Sequence, residues 1–218
     1  MRRASHTTMR RTRTIVLAGL VCGLGGANAA GGQDAARVGC DQAPRAERTA
    51  VILHLVDRAA LSPGTRAQLM RETVLPWRET GVDVRWAMDE RDADGGAGHV
   101  YVTVVRDAEA PRGPGFGHPL ASILFVGGRP TTQIRAYLGE IERLASASRF
   151  DDHAWLDLPR LLRERLIGRA LGRAVAHEVG HYVFASATHA PVGLMRPHHP
   201  IERLMTAAGD PFRIIPPP

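Results

Sequence analysis

The stretch Leu158–Phe184, LPRLLRERLIGRALGRAVAHEVGHYVF, decides how the rest of the chain is read. Apolar residues recur at Leu166, Ile167, Ala170, Leu171 and Ala174, the spacing that gathers them on one side of an α-helix. Arg165, Arg169, Gly172 and Arg173 fall on the other side. Two histidines, His177 and His181, continue the apolar stripe. Residues four apart lie about 40° from each other around a helix axis, one turn apart, so both imidazoles leave the same face. The expectation is one long helix whose buried stripe carries two imidazoles toward the domain interior.

Elements on either side of this helix supply a sheet. Ala50–Val56, AVILHLV, is an apolar run of strand length rich in β-branched residues. Ser62-Pro63 is an N-cap followed by proline at the first helical position, opening a helix expected to run to about Glu79, where Gly81 ends it. Strands are expected at Val82–Trp86, Val100–Val105 and Ser122–Val126, the last closed by Gly127-Gly128. Ser122–Val126 reads equally as an inner strand or as an edge strand able to take up an extended peptide. Residues 88–98 are an acidic, glycine-rich turn region, and 108–119, with three prolines and three glycines, must be an irregular loop. Within 131–148, Gln133–Tyr137 suits a strand and Gly139–Ala147 a helix; a last short helix is expected at Ile201–Ala208. This order predicts an α/β (α+β) fold, a mixed sheet packed with helices, in a single domain over residues 49–218.

The N-terminus reads as a targeting segment. Arg2, Arg3, Arg10, Arg11 and Arg13 precede an apolar stretch from Thr14 to Leu24 that is too short for a comfortable membrane span, and Ala27-Asn28-Ala29 supplies small residues for cleavage after Ala29. Residues 1–29 are therefore expected to be a signal peptide, 30–48 a loose lead-in, and the mature protein secreted or periplasmic without a stable membrane anchor. The chain has 28 basic and 22 acidic residues. Loss of the five arginines before Ala29 leaves 23 basic residues against 22 acidic, a net of +1. That removes the basic surplus a nucleic-acid reading needs. Of the two cysteines, Cys22 would leave with the signal and Cys40 would stand alone, so no internal disulfide is expected.

His177-Glu178-Val179-Gly180-His181 is an HExxH motif. Two imidazoles one turn apart can reach one zinc ion, and Glu178, about 100° round the helix from His177, flanks that ion as a general base for its water. A catalytic zinc wants a third protein ligand. His189 follows His181 across Ala185-Ser186-Ala187-Thr188, a short return that brings it back at low entropic cost. Glu202, in the last expected helix, and His198 or His199 are the other candidates.

HEVGHYVFASATH, followed by Gly193-Leu194-Met195, resembles the metzincin metallopeptidases and a group of small exported bacterial proteins with an HExGH…H…GLMR pattern. The resemblance implies His177, His181 and His189 as zinc ligands, Glu178 as general base, and Met195 as the methionine of a turn beneath the metal. The separation of His181 from His189 is two residues longer than the family's H-E-x-x-H-x-x-G-x-x-H, and Phe184 stands at the family's glycine. With Glu202 as third ligand the comparison would instead be with gluzincins. A zinc-dependent peptidase acting on a peptide or protein substrate is the leading expectation. The alternative is a non-catalytic extracytoplasmic binding protein on the same fold. Tyr182, Arg196 and His198 are candidates for stabilising an oxyanion, and Cys40 for a latency role at the metal. His54, His99, His118 and His153 show no ligand spacing and read as structural or exposed.

Overall fold

A computed structural model describes residues 50–87, 97–106, 119–150, 152–206 and 210–218. The expected signal peptide, lead-in, Cys40, His118 and most of the 88–98 and 108–119 segments lie outside the described residues. Elements follow in the order β1 (Ala50–Asp57), α1 (Pro63–Val74), β2 (Asp83–Trp86), β3 (Gly98–Val105), β4 (Ala121–Val126), β5 (Arg129–Tyr137), α2 (Leu138–Ala147), β6 (Arg149–Phe150), β7 (His153–Ala154), α3 (Arg160–Val183) and α4 (Ile201–Thr206). These elements fall within one compact unit, Pro44–Pro218.

Five strands form one mixed sheet in the order β2-β1-β3-β5-β4. All neighbours are parallel except β4, which pairs antiparallel with β5 and lies at the edge. The register sets Leu53 beside both Trp86 and Val100, and Ile134 beside both Val102 and Ile123. These side chains are buried and form one apolar face. No helix among the described residues is long and apolar enough to cross a membrane.

Helix α1 begins as expected, with the Ser62 hydroxyl accepting from the Thr65 N–H and Pro63 in the first turn. It stops at Val74, short of Glu79, and tightens into a 3-10 turn over Leu75–Trp77. Pro76 is the physical reason: it has no N–H to continue the ladder, even though Leu75 before it keeps right-handed helical geometry at φ −55° and ψ −46°. The Trp86 indole N–H donates to the Met70 carbonyl at 2.9 Å, tying α1 to β2. The small β6–β7 hairpin has no counterpart in the sequence reading.

The long helix differs from its expected one-sided form. From Ala170 to Ala176 every residue is buried, including Gly172 and Arg173 on the side opposite the apolar stripe. Helix α1 covers that face. A methyl group at Gly172 would stand 2.6 Å from the Leu69 carbonyl oxygen, and one at Gly168 2.5 Å from that of Thr65. The two glycines thus let the helix backbones approach directly, and the Thr73 hydroxyl donates to the Gly172 carbonyl across the contact at 3.2 Å. Arg173 is tolerated because Glu72 of α1 accepts from its Nε at 3.1 Å and the Leu204 carbonyl from its Nη1 at 2.8 Å. Burial still pulls its guanidinium down to about 10, against the opposing pull of Glu72.

Candidate metal centre

His177 and His181 lie on α3, with ring centroids 4.9 Å apart. Their hydrogen bonds fix their tautomers. His177 Nδ1 sits 2.8 Å from the Leu194 carbonyl and His181 Nδ1 2.7 Å from the Ser186 carbonyl. A carbonyl only accepts, so each Nδ1 must carry the proton and each Nε2 is left with a lone pair. The two Nε2 atoms face each other at 3.1 Å. Neutral rings have no proton to place between them, so this contact is not a hydrogen bond. It is an arrangement a cation would stabilise.

Burial keeps the rings neutral. Desolvation pushes His177 down to about 3, against the opposing effect of the Leu194 bond. Desolvation also lowers His181 and His189. Neutral imidazole is the metal-binding form.

The helix ends so as to return the chain to this spot. Phe184 is the C-cap, and Ala185 adopts left-handed geometry with φ 49°. The Ser186 N–H bonds the His181 carbonyl at 3.2 Å and the Ala185 N–H that of Tyr182 at 3.2 Å. This is a Schellman ending with alanine in the place usually held by glycine. Phe184 itself stays right-handed at φ −82°, so the left-handed residue of the ending is Ala185. The chain then turns where Ser186 accepts from the Thr188 N–H and pairs with the Thr188 hydroxyl at 2.8 Å.

His189 then stands against both helical histidines, its ring centroid 5.2 Å from that of His177 and 4.9 Å from that of His181. One ligand-type nitrogen from each of the three lies within 4.8 Å of the others, the only such cluster of three or more metal-binding side chains among the described residues. Glu202 on α4 is not part of it. His181 is buried, His177 partly so, and His189 is exposed, so the cluster opens on one side to solvent.

Met195 is fully buried and packed so closely on Gly180 of α3 that any side chain there would collide with its sulfur. The turn that delivers it closes through the Ala190 N–H to the Met195 carbonyl at 2.9 Å and is made by Gly193 at φ 76°.

Glu178 points to the edge of the sheet. Its Oε2 accepts from the Ile123 N–H of β4 at 2.9 Å. Burial raises its carboxyl to about 7, against the opposing effect of that bond. Next along β4, Leu124 and Val126 are exposed apolar residues, and Phe125 meets His181 edge-on at 6.2 Å.

Other candidates are placed elsewhere. Tyr182 packs against Gly98 of β3. His198 lies close enough to His189 to help lower it. His54 and His99 pair across β1 and β3 at 2.9 Å, with His54 stacked on Tyr101. Sequence reasoning missed the partners made of backbone, namely the Leu194 and Ser186 carbonyls and the Ile123 amide. It also missed the role of His199, whose Nε2 shares the Leu194 carbonyl. No protein-family model matches this chain, and no curated protein matches it.

Proposed function

We propose that this chain is an exported, zinc-dependent peptidase of metzincin-like type, with His177, His181 and His189 holding the metal and Glu178 acting as general base. One observation carries the reading: three imidazoles converge, and the two on the helix present bare Nε2 atoms to the same point because both Nδ1 protons are committed to carbonyls. Three nitrogen donors with an open side suit a catalytic zinc better than a closed structural one. Zinc bound there would supply Lewis acidity, polarising a carbonyl and making water nucleophilic near neutral pH.

The protein's own groups do the rest. The Leu194 and Ser186 carbonyls hold the two helical imidazoles in the ligating tautomer. Met195, buried against Gly180 of the same helix, would line the floor of the metal site. Glu178 takes a proton at a carboxylate oxygen and returns it to the leaving amine, a task for which a value near 7 is well matched. Edge strand β4 offers an extended peptide a strand to pair with, beside Glu178.

Zinc content per chain, measured for the wild type, His189→Ala and Glu202→Ala, tests the ligand set. Zinc should bind the wild type and Glu202→Ala and be lost from His189→Ala. The reverse pattern would replace the metzincin-like reading with a gluzincin-like one. Incubation of the zinc-loaded wild type with denatured protein or a peptide library tests the activity. Zinc without cleavage would favour a non-catalytic binding protein on this fold.

A further inference from the structure

Leu194 is held at both ends of its backbone. Its N–H donates to the Arg213 carbonyl at 3.0 Å, so the C-terminal segment fixes the peptide from outside. Its carbonyl accepts twice, from His177 Nδ1 at 2.8 Å and from His199 Nε2 at 3.1 Å. A carbonyl oxygen has two lone pairs, and here both are filled by imidazole N–H groups.

His199 is itself fixed. Its Nε2 must carry the proton, and its Nδ1 is buried without a hydrogen-bond partner. Its ring packs on Phe212 with centroids 5.5 Å apart. Phe212 also carries the Arg173 guanidinium, 4.0 Å from its ring centroid and paired with Glu72. The chain of contacts therefore runs from the α1–α3 interface through Phe212 and His199 to the carbonyl that orients His177.

We propose that His199 is a positioning residue: by donating to the Leu194 carbonyl, it fixes the acceptor that keeps His177 with Nε2 aimed at the metal. The inference rests on the reading of His177, His181 and His189 as metal ligands. His199 belongs to no cluster with them among the described residues, so it acts through Leu194 and not as a ligand. The cost of leaving its Nδ1 without a partner in a buried place is what a residue kept only for packing would not incur.

Zinc affinity, measured by competition with a chromophoric chelator, tests this in the wild type, His181→Ala, His199→Phe, His199→Gln and His199→Asn. Phenylalanine keeps the ring against Phe212 but removes the donor. Glutamine places an N–H near the position of Nε2, whereas asparagine is polar but too short to reach Leu194. Loss of an outer partner of a ligating histidine weakens metal binding about ten- to a hundredfold. The Phe and Asn variants should fall by that much, Gln should recover most of it, and cobalt in place of zinc should show a changed visible spectrum in the first two only. Equal affinity in wild type, Phe and Asn would overturn the positioning role while leaving the metal centre intact. A wild type that binds no zinc, indistinguishable from His181→Ala, would instead overturn the metal reading itself. Should the Phe variant not fold, as judged by circular dichroism without metal, the Asn and Gln comparison decides alone.

Discussion

Replacing Glu178 with glutamine should make the metal-free protein more stable while abolishing hydrolysis. In the unfolded chain the carboxyl ionises near its ordinary value of 4.5, but in the fold burial raises it to about 7. Between those values the unfolded state has released its proton and the folded state still holds one. Stability therefore falls as pH rises through this window and levels off above it. At about 1.4 kcal/mol per pH unit over the interval from 4.5 to about 7, the full effect is at most about 3.5 kcal/mol, reached above pH 7. Glutamine has nearly the same shape, can accept from the Ile123 N–H through its amide oxygen, and has no proton to lose. For a domain of this size the gain corresponds to about 7–14 °C in melting temperature. The assay is thermal unfolding of both metal-stripped proteins from pH 4 to 8, followed by peptide hydrolysis after zinc loading. All other titrating groups are shared, so the difference between the two curves isolates Glu178. It should be near zero at pH 4, grow through pH 7 and level off by about pH 8. Zinc content should be unchanged and turnover should fall on the order of a hundredfold or more. A difference that is flat with pH, or of opposite sign, would refute the account of Glu178 as a desolvated carboxyl. Full activity in the variant would remove it as the base.

In the same Glu178→Gln background, the opposing contribution of that carboxyl is gone and the histidines' own contribution can be read. His177, His181, His189 and His199 are all lowered by burial, so below their ordinary 6.5 the unfolded chain takes up protons before the fold does. Melting temperature should decline as pH is lowered from 6.5 toward about 3, the value of His177, and bound zinc should be released over the acid side of that range; a flat profile would count against neutral, buried imidazoles. Gly172→Ala should destabilise by about 1–2 kcal/mol, overpacking against the Leu69 carbonyl outweighing a helix-propensity gain of about 1 kcal/mol. Gly64→Ala, whose new methyl meets only the flexible Glu164 side chain at 3.1 Å, serves as the control in denaturant unfolding. Ala185→Gly should stabilise by up to about 1 kcal/mol by relieving left-handed geometry, with zinc binding retained.

Much of the sheet was legible because its strands are short apolar runs bounded by turn residues, as at Ala50–Asp57 and Ala121–Val126. The HExxH helix was legible because one turn of helix fixes where two side chains four apart must go. Periodicity misled at Gly172 and Arg173, since it describes a helix with one partner and α3 has partners on more than one side. The early end of α1 follows from Pro76, which lies ahead of the turn signal at Gly81. His189 could be nominated but not located, because a return loop's path depends on which residue turns left-handed, and that residue proved to be an alanine. The hydrogen bonds that set tautomers go to backbone atoms, which carry no residue identity for a sequence to reveal.

The three candidate donors are not alike in how they are held. Two ride on a rigid rod, while His189 is tethered by the few residues after Phe184, with its ring exposed. For a tethered donor, occupancy depends on the local concentration its leash creates at the rod, which falls gradually as the leash lengthens. Changes in the length or stiffness of residues 185–188 would thus act as a dial on metal retention, leaving the scaffold beneath untouched.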